Sequence, residues 1–224
     1  MRKIFSSLVL AAVAAFVSAG QANAGVITSL YNTGVNGAGV SLPDSTLGDP
    51  HYSLVSVPGG TSDLLVRTSA GGYPIPPYFG DSPRSAWIGP NNDHQVDGPV
   101  GLYDYQTTFN LTGFNPLTAS IKGGWSSDND GVKILLNGVD TGNPATNFAQ
   151  FSIGFAPFSI SGGFKSGWNT LDFIVNNGGG PTALRVDMLG TARAVPEPSS
   201  FALLGLGGIS LAVGAYRRRR ATAV

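Results

Sequence analysis

The segment from Tyr103 to Leu111 alternates strictly between two kinds of side chain. Its odd positions carry Tyr, Tyr, Thr, Phe and Leu, while its even positions carry Asp, Gln, Thr and Asn. A period of two is the pattern of a β-strand that buries one face against a core. The run from Leu117 to Ile121 repeats the alternation after Asn115-Pro116, where we expect a turn. These runs predict two neighbouring antiparallel strands.

Other short apolar runs are separated by turn residues. Val132 to Leu136 ends in Asn137-Gly138, a pair that favours a type I′ hairpin because both residues tolerate positive φ. Residues 71–83 are rich in Gly and Pro and predict a loop, and no part of the body has the period of an amphipathic helix. Further strands are predicted at 26–31, 52–57, 64–67, 168–175 and 184–189. Many short strands joined by turns predict an all-β fold, an antiparallel β-sandwich or jelly roll.

Composition excludes several classes of protein. The chain has no cysteine, so it can form neither disulfides nor a thiolate metal site. Residues 25–195 carry 12 aspartates, no glutamate and 7 Lys or Arg, which makes the body mildly acidic. Duplex binders need clusters of basic residues to displace counterions, so we expect no nucleic-acid partner.

The first 24 residues have the three parts of a secretory signal peptide. Arg2 and Lys3 are followed by an apolar stretch from Ile4 to Val17 and by the small residues Ala22-Asn23-Ala24. The apolar stretch is shorter than the roughly 20 residues that a spanning helix needs. We therefore expect export through the Sec machinery and cleavage after Ala24, which leaves Gly25 as the mature N-terminus.

The last residues predict a membrane segment with a fixed orientation. An apolar run from Phe201 to Tyr216 precedes four consecutive arginines, Arg217, Arg218, Arg219 and Arg220. The arginines should stay in the cytoplasm and hold the body outside. The predicted order is a signal helix at 1–24, an ectodomain at 25–192, a linker at 193–200, a transmembrane helix at 201–216 and a basic tail at 217–224.

The order Val-Pro-Glu-Pro, apolar run, arginine cluster resembles the PEP-CTERM sorting signal of Gram-negative bacteria. In that family a membrane protease, exosortase, cuts near the Pro-Glu-Pro segment. The resemblance implies that Pro196, Glu197 and Pro198 are recognition residues and that exosortase is a partner. It also implies a transient stay in the inner membrane, delivery to the cell envelope surface or extracellular matrix, and contact with exopolysaccharide.

The body itself resembles the galactose-binding-like jelly-roll ectodomains that precede such tails. The resemblance covers roughly residues 85 to 192 and implies a glycan-binding or purely structural domain. It lies in turns and strand ends that many sandwich domains share. The segments that carry it are 87–90, 107–111, 124–130, 135–138 and 167–171.

Residues 128–131, Asp-Asn-Asp-Gly, offer two interpretations. Asp128 and Asp130 supply the carboxylates that calcium prefers, and galactose-binding-like folds often carry a structural Ca²⁺. The same residue types also dominate ordinary turns, because Asx side chains bond to their own backbone. Asn129 and Trp125, beside this loop, are candidate sugar contacts, whereas Trp168 precedes an apolar strand and is expected in the core.

No enzyme signature is present in the sequence. It lacks a Gly-x-Ser-x-Gly elbow and a His-Glu-x-x-His helix, and its only histidines, His51 and His94, lie in polar loops beside Asp49 and Asp93. A non-enzymatic surface protein is our first hypothesis. The alternatives are a purely structural protein and a secreted carbohydrate-active enzyme, for which two facing aspartates about 5–10 Å apart would be needed.

Overall fold

The computed structural model describes residues 23–43, 48–60, 64–65, 67–68, 76–91 and 97–195, together with 207, 208, 210, 214 and 218. The chain divides into the unit Ala24–Arg193 and a second unit made of Met1–Asn23 and Ala194–Val224. Residues 1–22 of the predicted signal helix and most of the predicted transmembrane segment at 201–216 lie outside the described residues, whereas Ala24 belongs to a strand. No helix within the described part is long and apolar enough to cross a membrane.

The described part of the body, between residues 24 and 194, contains twelve strands and one helical turn. The strands are β1 (Ala24–Val26), β2 (Tyr52–Ser56), β3 (Leu64–Leu65), β4 (Arg67–Thr68), β5 (Ile88–Gly89), β6 (Gly101–Asn110), β7 (Phe114–Asp128), β8 (Asp130–Leu136), β9 (Val139–Asp140), β10 (Ala156–Ile160), β11 (Trp168–Asn177) and β12 (Ala183–Ala194), and the helical turn is α1 (Gln150–Ile153). Sheet I has the order β10-β7-β12-β5-β4, with β1 also paired to β12. Sheet II has the order β3-β2-β6-β11-β8-β9.

The inner faces of the two sheets share one hydrophobic core. The predicted alternation in β6 is confirmed, because Tyr103, Tyr105, Thr107 and Phe109 are all buried. Ile121 and Trp125 of sheet I pack in the same cluster as Leu171 and Phe173 of sheet II, and the ring centroids of Trp125 and Phe173 lie 5.8 Å apart. The all-β antiparallel sandwich expected from the sequence is therefore confirmed.

The predicted hairpin after β8 is also confirmed. Asn137 and Gly138 have φ values of 54° and 79°, and Leu136 pairs with Val139. Both turn residues therefore adopt the left-handed conformation that a two-residue hairpin requires. Asn137 also donates from Nδ2 to the Asn169 side chain of β11 at 2.9 Å, which joins the turn to the neighbouring strand.

The predicted pairing of the two alternating runs is wrong. β6 belongs to sheet II and β7 to sheet I, because the chain turns at 112–113 and crosses from one sheet to the other. Asn115-Pro116, where a turn was expected, lies inside β7, and the Leu117 side chain there is 90% exposed. Side-chain alternation identifies the buried face of a strand but carries no information about its partner.

The ends of the sandwich lie side by side. Of the strand predicted at 26–31, only Val26 belongs to β1, which pairs with the end of β12. Ala24 is opposite Arg193 and Gly25 is opposite Ala192. β12 continues to Ala194, two residues beyond the predicted boundary of the ectodomain at 192. The folded body therefore extends almost to the Pro-Glu-Pro segment.

Candidate functional site

The Asp128–Gly131 segment lies where the chain crosses from β7 in sheet I to β8 in sheet II. The Asp128 carboxylate accepts hydrogen bonds from the Tyr78 hydroxyl and, at 3.0 Å, from Asn129 Nδ2. Burial raises the pKa of Asp128 to about 6, and the Tyr78 hydrogen bond opposes this rise. Both carboxylate oxygens therefore already have partners within the protein.

Three hydrogen bonds from two further segments hold the same crossover in place. Thr182 donates to the Asp128 carbonyl at 2.6 Å, and the Gly178 amide donates to Asn129 Oδ1 at 2.7 Å. Thr146 Oγ1 accepts from the Gly131 amide at 2.7 Å. These contacts give residues 128–131 structural partners elsewhere in the body. The described residues hold no group of three or more His, Cys, Asp or Glu that could bind a metal, and calcium binding remains a prediction.

The solvent exposure of Trp125 and Trp168 is the reverse of what the sequence predicted. Trp125, the candidate sugar contact, is 0% exposed, and its Nε1 has no hydrogen-bond partner among the described residues. Trp168, expected in the core, is 68% exposed at the start of β11. Position along the strand explains both: Trp125 points between the sheets, whereas Trp168 begins its strand at the rim. A glycan can reach Trp168 in this structure but not Trp125.

Asp49 and His51 form a structural turn. The buried Asp49 carboxylate accepts from the backbone amides of Gly34 at 2.6 Å, His51 at 2.7 Å and Tyr52 at 3.1 Å. Burial raises the pKa of Asp49 despite these bonds. The His51 ring stacks on Tyr31 with centroids 3.5 Å apart. Asp93 and His94, the other histidine pair, lie outside the described residues.

One acidic pair was missed by the sequence analysis. Asp104 of β6 and Asp172 of β11 lie diagonally on the outer face of sheet II, since Asp172 pairs with Gln106 and Asp104 pairs with Ile174. Burial, and then the charge of Asp172, raise the pKa of Asp104 to about 6. Gln106 donates to Asp172 at 2.6 Å. The polar positions of the alternating β6 run were visible in the sequence, but their neighbour on β11 was not.

The residues of the two predicted export signals lie mostly outside the described part of the chain. Gly25 and Ala24 belong to β1, whereas Ala22 and the recognition residues Pro196, Glu197 and Pro198 lie outside the described residues. Of the four arginines, only Arg218 is described, and its backbone is helical. Only Val195 separates the end of β12 from Pro196.

Comparison with known families identifies a motif at the C-terminal end of the chain. Residues 194–220 match the PEP-CTERM protein-sorting motif. The chain carries an exosortase sorting signal. The PEP-CTERM signal implies export and processing at the membrane before display at the cell surface. No match is found among curated proteins.

Proposed function

We propose that this chain is a non-enzymatic surface or matrix protein of a Gram-negative bacterium, and that its β-sandwich contacts exopolysaccharide or other glycans. The observation that carries the proposal is the PEP-CTERM motif at residues 194–220, directly after the last strand of the body. Such a tail serves delivery, so the working part of the molecule is the sandwich. The Sec machinery, exosortase and, transiently, the inner membrane are the partners that this route requires.

The pairing of β1 with β12 supports a fixed order of the export and cleavage steps. Signal peptidase needs an extended, accessible chain around Ala24, whereas in the folded unit Ala24 pairs with Arg193. β1 can pair with β12 only after β12, the last strand, has been exported. We infer that the signal peptide is removed first, that the sandwich then closes, and that exosortase acts last.

Intact-mass analysis of the protein from its native host tests the proposal. We expect a mature chain that begins at Gly25 and ends near Pro196. A Glu197→Ala variant should keep its C-terminal segment, because the recognition residue is lost, and an Asp97→Ala variant should be processed normally. An unshortened C-terminus in the native protein, or normal processing of Glu197→Ala, would contradict the proposal.

A carbohydrate-active enzyme is the second candidate, and the Asp104–Asp172 pair favours it. Diagonal neighbours on adjacent strands lie roughly 7–8 Å apart at their backbones, within the range for two catalytic carboxylates. Against it, Asp172 is only 4% exposed and is held by Gln106. Release of reducing sugar from polysaccharides by the native protein, abolished by Asp104→Asn, would establish this candidate in place of the first.

A further inference from the structure

The outer face of sheet I contains an open groove of about 330 Å³. It includes no residue of the Asp128–Gly131 segment or of the Asp104–Asp172 pair. It lies beside Gly124 of β7, where the Phe155 side chain occupies the space that a Cβ on this glycine would take, and the exposed Lys122 also lines it. A Cβ at Gly124 would lie 2.5 Å from the Cβ of Phe155, so no other residue fits there without displacing that ring. Phe155 therefore packs closely against the Gly124 backbone, and its side chain forms part of the lining of the groove. The other lining residues are Arg84, Gly123, Pro157, Asp187, Met188 and Leu189.

The groove concentrates positive charge on an acidic body. Of the 7 basic residues between positions 25 and 195, Arg84 and Lys122 line the groove and Arg185 lies behind it. The Arg185 guanidinium is 5.1 Å from the ring centroid of Phe155, which also lines the groove, and 4.8 Å from that of Phe79. Asp187 and Asp81 lie beside Arg84 and the buried Arg185, so the positive charge that the groove offers to an anionic ligand is mainly that of Lys122.

One of these cations is available for a ligand. Arg84 Nη2 already contacts Asp187 Oδ1 at 2.8 Å, so the acid of the groove is neutralised from within. Lys122 is exposed and forms no ion pair with any other described residue. A bound anion would therefore gain the Lys122 charge without first displacing an acidic partner. An ammonium group at the edge of an apolar depression is suited to a carboxylate acceptor.

The remaining lining is apolar. Phe155, Pro157 and Leu189 offer ring and aliphatic surface beside Lys122, and the Leu189 side chain is 52% exposed. Small-molecule sites combine such a lining with a few polar groups that fix the orientation of the ligand, in cavities from roughly 300 Å³ upward. The apolar C–H face of a sugar ring suits this surface, and a ring carboxylate suits Lys122. The groove is large enough for a short saccharide segment.

We propose that this groove binds the acidic sugar units of a glycan, with Lys122 contacting the carboxylate and Phe155 and Leu189 contacting the ring. The inference rests on the proposed glycan contact and makes it more specific, because it names both the site and the class of sugar. It places the binding surface on sheet I, away from the Asp128–Gly131 segment and from the acidic pair on sheet II.

Calorimetric titration of the full chain in detergent with matched trisaccharides tests this assignment. The probes are trisaccharides of galacturonate, glucuronate and mannuronate, each compared with its neutral counterpart that has a C6 hydroxyl. We expect an acidic trisaccharide to bind more tightly than its neutral partner. Lys122→Glu should weaken that binding at least about tenfold, since a charge-assisted contact is replaced by repulsion. Lys133→Glu, a change at an exposed lysine on sheet II, is the matched control and should leave binding unchanged.

The outcomes separate the two levels of the proposal. Tight binding of the acidic probes that survives Lys122→Glu, or that Lys133→Glu weakens equally, overturns the groove assignment. Preference for neutral sugars also overturns it, but leaves the proposed glycan contact standing. If neither charged nor neutral saccharides bind, both the groove assignment and the proposed glycan contact fail.

Discussion

At the scale of single residues, the three tryptophans differ sharply in their access to solvent. Trp87 and Trp125 are 1% and 0% exposed, whereas Trp168 is 68% exposed. Collisional quenching of fluorescence by acrylamide should therefore act mainly on Trp168. We expect Trp168→Phe to remove most of the quenchable emission without lowering the free energy of unfolding by more than about 0.5 kcal/mol. Strong quenching that persists in this variant would contradict the burial of the other two indoles.

Trp125 belongs to the core rather than to a binding surface. Replacing a fully buried tryptophan by alanine removes a large apolar surface and leaves a cavity. We expect Trp125→Ala to lower the free energy of unfolding by about 3–5 kcal/mol, measured by urea denaturation. Trp168→Ala is the control and should cost far less. A loss of glycan binding in a Trp125→Ala protein that keeps its full stability would contradict this assignment.

The Asp128 carboxylate bears on the calcium prediction. Its two oxygens accept hydrogen bonds from Tyr78 and Asn129, so a calcium ion would have to displace both donors. We expect the thermal unfolding midpoint to be the same in EDTA and in millimolar calcium. A midpoint that rises with calcium in the native protein, but not in Asp128→Asn, would instead establish a structural calcium at this turn.

At the scale of elements, β8 approaches β7 so closely that one glycine is needed. A Cβ at Gly131 would lie 2.5 Å from the Trp125 ring and 2.6 Å from Thr146 Oγ1. Gly131→Ala should therefore lower the free energy of unfolding by about 1–3 kcal/mol, because neither group can retreat without disturbing the core or the crossover. Gly162→Ala is the matched control, since a Cβ there meets no atom within 4 Å. Equal stabilities of the two variants would contradict the close approach.

Local chemistry explains which elements could be predicted. The β8–β9 hairpin follows from Asn137-Gly138 alone, because two neighbouring residues determine the turn. The partner of β6 does not follow from its own residues: β11 is far along the chain, and the turn after Leu111 leads into the other sheet. For the same reason the sequence indicated Asp104 as outward-facing but could not place Asp172 beside it. The groove at Gly124 likewise depends on Phe155, thirty-one residues away in the sequence.

At the scale of the whole molecule, the two ends of the body meet in one ladder. β1 and the last residues of β12 pair antiparallel, so Ala24, the last residue before the predicted cleavage point, lies opposite Arg193, the last residue before the matched motif in the sequence. The sequence identified both signals from their residue types. The pairing of Ala24 with Arg193 is a property of the fold, because it depends on β12 lying next to β1 rather than on either segment alone.

The stability of the whole sandwich should depend on pH through its buried carboxyls. Burial raises the pKa values of Asp104 and Asp128 from 3.8 to about 6, and also raises those of Asp49 and Asp172. Between pH 4 and 6 the folded state then binds more protons than the unfolded state, so the stabilising contribution of these groups falls as the pH rises through 6.

Asp104→Asn tests this linkage, because it removes one titrating group and its repulsion with Asp172. We expect the variant to be more stable than the parent at pH 7.5 by about 1 kcal/mol, a value reduced for the partial exposure of Asp104, and nearly equal to it at pH 4.5. Urea denaturation at the two pH values provides the measurement, and Asp97→Asn, at an exposed aspartate, is the control. If Asp104→Asn were less stable than the parent at pH 7.5, the ionised carboxylate would be stabilised by its surroundings, and the burial argument for this face of sheet II would fail.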